Sequence, residues 1–291
     1  MRGTQIKETL QQGGRVYGTH ILSLGNPLAA AIATEMELDF AFFCTEHMPL
    51  DRTEISMMCQ LYAAKGISPV VRVPSPDAAA VGMALDGGAE GIVVPYLESL
   101  EDARRMAGAV KYRPLKGKML TDVLSGESKL NNETTQFLQE FNHDRYLIIG
   151  IESVPAIKKL EQLIDASEAD GVFLGPHDIT TSMGIPTQYD HPDFINTIED
   201  IMRCCHRRNV GVGLHTQLMT LPETVLQRFF DAGMNWVING ADITIMRDAM
   251  NRQLRQLRQM GDGGIHSETN GFKVDSFNGN STKKVIKSCI T

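Results

Sequence analysis

The chain has 291 residues, 42% of them hydrophobic and 22% charged, which excludes a wholly disordered polymer and leaves room for one or two folded domains. With 35 Asp+Glu against 28 Lys+Arg the net charge is −7; this argues against a general nucleic-acid binder and still allows a locally positive anion site. No stretch approaches the roughly 18 apolar residues of a membrane helix, and the polar start MRGTQIKETLQQGGR has no signal-peptide core.

In chain order, short apolar runs begin near residues 16 (VYGTHIL), 39 (DFAFFC), 68 (SPVVRV), 90 (EGIVVP), 147 (LIIGIE), 171 (GVFLGP), 210 (VGVGLH) and 235 (NWVIN). Their near-continuous apolar character suits strands buried on both faces, as in a parallel sheet. Helical stretches fit between them. Asn26-Pro27 reads as a helix start, Asp51 with Glu54 and Thr220 with Glu223 read as capping boxes, and Ser75-Pro76-Asp77 opens another helix. Five of the seven intervals between run starts are 22–29 residues long, the length of a simple βα unit. The interval of 57 must hold extra chain at about 113–146, read as a polar loop and a short helix from Glu133 to Asn142. The interval of 39 implies a long loop at about 179–192. Residues 241–260 form one long helix whose Ile245, Met246, Ala249, Met250, Leu254, Leu257 and Met260 trace an apolar stripe.

Eight such units predict an α/β fold, a TIM (β/α)8 barrel with an additional C-terminal helix; a doubly wound open sheet fits eight regular repeats less well. Residues 1–260 are expected to form one barrel domain including the long helix. The Gly-, Ser-, Asn- and Lys-rich residues 261–291 are expected to form a disordered tail. The five cysteines (44, 59, 204, 205 and 289) form no CxxC pair, so they read as reduced thiols of a cytoplasmic protein.

A barrel places its chemistry at the C-terminal ends of its strands. There this sequence sets Thr45-Glu46-His47, Arg72, Pro95-Tyr96, Glu152-Ser153, Pro176-His177-Asp178, His215 and Asn239, with His20 at the end of the first strand. Two carboxylates on neighbouring strands, Glu152 and Asp178, suit a hard cation such as Mg²⁺ or Mn²⁺; either could instead pair with Arg72 or cap a helix. Arg72, at the end of an apolar strand, either makes a structural ion pair with Glu46 or Glu152 or binds an anionic substrate. His47 can act as a general base or merely cap a loop. His20, His177 and His215 are weaker candidates. No lysine ends a strand, which counts against Schiff-base catalysis.

Taken jointly, TEHMPLDR at 45–52, PVVRVPSPD at 69–77, GAEGIVVPYLES at 88–99, IGIESVPAI at 149–157 and FLGPHDIT at 173–180 resemble the HpcH/HpaI aldolase family over about residues 15–258. The resemblance implies a carbon–carbon lyase, a metal-dependent aldolase that interconverts 4-hydroxy-2-keto acids with pyruvate and an aldehyde through a metal-stabilised enolate. It implies Glu152 and Asp178 as metal ligands, with Co²⁺ or Zn²⁺ as alternatives to Mg²⁺ or Mn²⁺. His47 would be the base and Arg72 the residue on the pyruvate carbonyl, with the Pro176-His177-Asp178 segment receiving the carboxylate through its backbone. It also implies a homo-trimer or homo-hexamer, often with C-terminal helices exchanged. An oxaloacetate decarboxylase using the same enolate, or a non-catalytic keto-acid-binding barrel, is the alternative. Two positions depart from the family pattern. Cys44 stands where related sequences carry an Asp that orients the histidine, a contact that Glu46 or a water could supply instead. At 113–118 (RPLKGK), Lys118 replaces the charge of a glycine-arginine-glycine loop.

Overall fold

The computed structural model describes residues 1–23, 31–33, 35–216 and 221–261. Eight parallel strands form one sheet in the order β7-β6-β5-β4-β3-β2-β1-β8. They are β1 Val16–His20, β2 Phe40–Cys44, β3 Ser68–Arg72, β4 Gly91–Val94, β5 Tyr146–Ile151, β6 Gly171–Leu174, β7 Gly211–Leu214 and β8 Trp236–Ala241. A parallel bridge between His215 and Ile238 links the two ends. Beside it, Val212 N donates to Asn235 Oδ1 at 2.8 Å, and Asn235 N donates to Val212 O at 2.9 Å. The result is a TIM barrel, and every strand begins within one residue of the apolar run that predicts it.

Alternation divides each strand between two cores. One side of the wall packs against the surrounding helices. The other fills the barrel with Val16, Phe40, Phe42, Val70, Val93, Tyr146, Ile148, Phe173, Trp236 and Ile238. Phe40 stacks on Trp236 at 4.8 Å. Large rings are accommodated by glycines: a Cβ on Gly91 would lie 2.5 Å from the Tyr146 ring. The filled interior leaves chemistry only at the rim.

The helices start for local reasons. Asp51 Oδ1 accepts from Thr53 N (2.7 Å) and Glu54 N (2.9 Å), while Glu54 Oε2 accepts from Asp51 N (2.8 Å), completing the capping box of Arg52–Ala63. Asp77 caps Ala78–Asp86 by accepting from Ala79 N. The long interval after β4 holds the expected helix as Asn132–Phe141 and, in place of an uninterrupted polar loop, a second helix at Gly117–Ser125 with no buried residue. The start of the loop expected at about 179–192 is instead helical, as part of Pro176–Ser182, so His177 and Asp178 stand in a first helical turn; Pro176 near its start presets the backbone for it. The helix Glu223–Ala232 begins with Pro222 in the N-cap position and no side-chain cap, so the Thr220–Glu223 box is not its start. Residue 220, the Asn26-Pro27 start and residues 262–291 lie outside the described residues.

Two terminal elements depart from the simple repeat. The N-terminal helix α1, Gly3–Gln11, buries Ile6 and Leu10 in the barrel-interior cluster, at the end where the strands begin. Gly3 N and Ser68 Oγ both donate to Glu90 Oε2 at 2.8 Å, and Arg2 Nε lies 2.7 Å from Glu90 Oε1. The helix is therefore a plug, fastened through a buried acid. The C-terminal helix Asp242–Gly261 buries only Asp242 and Thr244, not a stripe against its own strands. Met250, Leu254, Leu257 and Met260 are 44–80% exposed along its distal half. Among the described residues, no helix is long and apolar enough to cross a membrane.

Candidate active site

The residues expected at the mouth come together around Arg72. Cys44 and Arg72 are register partners at the ends of β2 and β3. The Arg72 side chain points inward and is 1% exposed. Its guanidinium lies over the rings of Phe42 and Phe173, 5.8 and 5.9 Å from their centroids. Nε and Nη2 donate to Cys44 Sγ at 3.2 and 3.0 Å, and Nε is 3.1 Å from Glu46 Oε2. Burial of a guanidinium is costly unless its donors are met and its charge is balanced; the Cys44 thiol meets donors on two of its nitrogens and the Glu46 carboxylate opposes its charge. Glu46 also reaches His47, whose Nε2 lies 3.7 Å from Oε2.

Across the mouth, Glu152 follows β5 directly and is buried. Its Oε2 accepts from Tyr96 N at 3.2 Å. Tyr96 holds a positive φ of 36°, an uncommon conformation for a non-glycine residue, and its hydroxyl is tied to Pro74 O at 2.9 Å. Gly175 separates Glu152 from Asp178. A Cβ there would lie 2.9 Å from Glu152 Cγ and 3.2 Å from Asp178 Oδ2. The missing side chain is what lets the two carboxylates converge.

The charges are unbalanced. Among the described residues, Glu46, Glu152 and Asp178 face a single buried guanidinium, that of Arg72. Burial pushes the Glu152 carboxyl up to about 8; Arg72 and the Tyr96 amide oppose this, while Glu46 and Asp178 reinforce it. Burial also raises Glu46, more than Arg72 can lower it, with Asp178 adding repulsion. A site that holds acids against their preference for water is short of positive charge, and oxygen donors of this kind match a hard divalent cation. Among the described residues no group of three or more His, Cys, Asp or Glu side chains is arranged to hold a metal ion. Glu152 and Asp178, which converge at Gly175, are the pair that could contribute two oxygen ligands to a cation.

The other expected residues divide. His177 Nδ1 is 3.3 Å from the Tyr189 hydroxyl, a contact within the 176–189 segment. Asn239 is exposed within β8 instead of ending it at the mouth, because β8 runs on to Ala241. Beyond β8, Asp242 accepts from Leu22 N and Ser23 N at 3.0 and 2.9 Å. It fastens the loop after β1, and the sequence reading missed it. His20 and His215 are buried at the top of the barrel, 5.3 Å apart. None of their four ring nitrogens has a hydrogen-bond partner among the described residues. Burial and then Arg72 lower the His215 pKa to about 3; burial, then His215, Arg72 and His47, hold His20 well below the usual histidine range. Burial thus favours the neutral form of both rings. Tyr96 stands at the mouth as expected: its side chain lies within the influence of Glu46 and Glu152, and its hydrogen bond to Glu152 is made by its backbone.

The family model for HpcH/HpaI aldolase/citrate lyase matches residues 21–249. A pyruvate aldolase of Rhizobium etli is 31% identical over 224 residues, covering 75% of this chain and 84% of that one. A hydroxypyruvate/pyruvate aldolase of Deinococcus radiodurans is 29% identical over 237 residues, covering 81% and 84%. Among solved structures, an HpcH/HpaI aldolase from Desulfitobacterium hafniense superposes with a TM-score of 0.72 at 25% identity, covering 87% of this chain and 96% of that one.

Proposed function

Because the chain belongs to the HpcH/HpaI aldolase/citrate lyase family, we propose that this lyase cleaves and forms 4-hydroxy-2-keto acids, with pyruvate and an aldehyde as the other side of the reaction. The observation that carries the reading is the convergence of Glu152 and Asp178 over Gly175 at a mouth whose fixed cation is Arg72. The similarity to proteins named pyruvate aldolase and hydroxypyruvate/pyruvate aldolase points to the same chemistry.

Glu152 and Asp178 are the residues that would hold a divalent cation, Mg²⁺ or Mn²⁺ by the hardness of their oxygen donors. A cation bound there supplies Lewis acidity that favours the enolate of pyruvate. The residues of the chain do the rest. Arg72 directs N–H donors at the keto oxygen, where negative charge grows as the carbon–carbon bond breaks. Its pose is set before substrate arrives, so little reorganisation is needed. The first turn of Pro176–Ser182 has backbone N–H groups without helical acceptors, suited to the keto-acid carboxylate. His47 takes the proton of the 4-hydroxyl group during cleavage and returns it during addition. Glu46, 3.7 Å from His47 Nε2, stabilises the imidazolium formed on the way.

We further infer a homo-trimer or homo-hexamer. The exposed apolar side chains of the terminal helix support it, since an isolated subunit would leave them in water. The four described cysteines are free and buried, which suits a reducing, cytoplasmic setting.

The test is a panel of 4-hydroxy-2-keto acids assayed for pyruvate release, with and without EDTA and after Mg²⁺ or Mn²⁺ is restored. Release that EDTA abolishes and the cation restores is expected, together with its loss in Glu152→Ala and Asp178→Ala variants that still melt cooperatively. Undiminished release from chelated parent protein would overturn the metal assignment.

A further inference from the structure

A buried thiol in the mouth has a partner that the sequence did not suggest. Residue 44 was expected to matter through the ring of His47. In the structure the Sγ of Cys44 accepts from the backbone N–H of His47 at 3.4 Å, and its two other contacts are the Nε and Nη2 donors of Arg72 at 3.2 and 3.0 Å. The ring of His47 lies near Glu46 instead. Cys44 is fully buried and faces Arg72 across the β2–β3 register. The strand ends are themselves clamped, because Thr45 N and Oγ1 both donate to Arg72 O at 2.9 and 2.8 Å. The sulfur therefore sits at a fixed point, under a guanidinium whose aromatic supports, Phe42 and Phe173, give it a face but no hydrogen-bond acceptor.

We propose that Cys44 is a positioning residue for Arg72, with the support of His47 passed to Glu46. This rests on the keto-acid reading of the site, in which Arg72 meets the keto oxygen. A planar guanidinium without an acceptor on one edge can rotate about its long side chain. The fork contact to Sγ selects one rotation and keeps it through the reaction. Glu46 contacts only the Nε edge and is itself shared with His47, so it constrains that rotation less than the two-donor contact to Sγ. A smaller buried residue at position 44 would fill part of the space but remove the sulfur that Nε and Nη2 share.

The experiment is a double-mutant cycle between Cys44→Ala and Arg72→Met, with Cys44→Ser as the rescue variant, measured by kcat and KM for keto-acid cleavage, by calorimetric pyruvate affinity in Mg²⁺, and by crystal structures of the two Cys44 variants. One hydrogen-bonded contact to a charged group corresponds to a factor of roughly 10 to 100. Cys44→Ala should lose about that factor in kcat/KM, mostly in kcat, with Arg72 displaced in its crystal structure. Cys44→Ser should recover most of the loss and keep Arg72 in place. In the Arg72→Met background, Cys44→Ala should cost nothing further. The basic-side response of the pH–rate profile should move in Glu46→Gln and stay put in Cys44→Ala. Equal losses in both Arg72 backgrounds, or an unmoved Arg72 in Cys44→Ala, would overturn the proposal. If the parent releases pyruvate from none of the keto acids, the lyase reading fails by itself, and the crystal structures and the pyruvate titration still decide whether Cys44 holds Arg72.

Discussion

Replacing His215 with leucine should make this protein more stable, and increasingly so as the pH falls. The imidazole is fully buried with both ring nitrogens lacking a hydrogen-bond partner among the described residues, and its pKa is lowered from 6.5 to about 3, first by burial and then by Arg72. The folded-state pKa lies below the unfolded one. Between pH 6.5 and 3 the unfolded chain therefore binds a proton at this position that the native state refuses. Stability is present above the unfolded value and is lost as pH falls through this window. At about 1.4 kcal/mol per pH unit, lowering the pH to about 5 costs the parent roughly 2 kcal/mol through this residue alone. His20 contributes a loss of the same sign, since its pKa is also lowered. For a domain of this size, roughly 2 kcal/mol corresponds to about 4–8 °C in Tm. Leucine cannot take up the proton, so the gap between variant and parent should widen by that amount from pH 7 to pH 5. Removing an unpaired buried polar ring should already favour the variant at pH 7, by about 1 kcal/mol or more. Thermal melts of both proteins at the two pH values, at constant ionic strength, measure the gap. A gap that stays the same at pH 7 and pH 5 would refute the reasoning, because carboxylates elsewhere titrate alike in both proteins.

Further outcomes follow from other parts of the molecule. Arg72→Lys keeps the charge but loses the planar fork to Cys44, and kcat/KM for keto-acid cleavage should fall about 100-fold or more; a change of only a few-fold would make Arg72 a structural residue. Ending the chain after residue 245 should give smaller assemblies by light scattering, whereas ending it after residue 261 should leave the assembly unchanged; a monomer seen for the full chain would exclude the assembly role. Ile6→Ala should lower stability by about 2–5 kcal/mol in denaturant titrations, because it opens a hole in the plug that closes the barrel; a cost below about 1 kcal/mol would mean that the helix is not packed as described.

The strand order of the barrel and the set of residues at its mouth were legible in the sequence because they depend on local pattern. A strand covered on both faces must be apolar along its whole length, so all eight stand out, and the first polar residue after each run marks the rim. This locates Glu46, His47, Arg72, Glu152 and Asp178 without coordinates. The plug was not legible: two apolar residues four apart in a polar stretch, Ile6 and Leu10, give little periodicity, and their burial depends on Glu90 and Ser68, far along the chain. The same holds for the partner of Cys44, which follows from the β2–β3 register, and for the bond from Tyr96 to Glu152, which needs a backbone conformation that its side-chain type does not announce. What the sequence determined alone was which strand residues are kept from water and most of those that reach the rim, because hydrophobic burial acts residue by residue. What the tertiary structure decided was which rim groups share a charge, a proton or an acceptor, because those contacts are fixed at about 3 Å, a precision set by strand register and packing and not by composition.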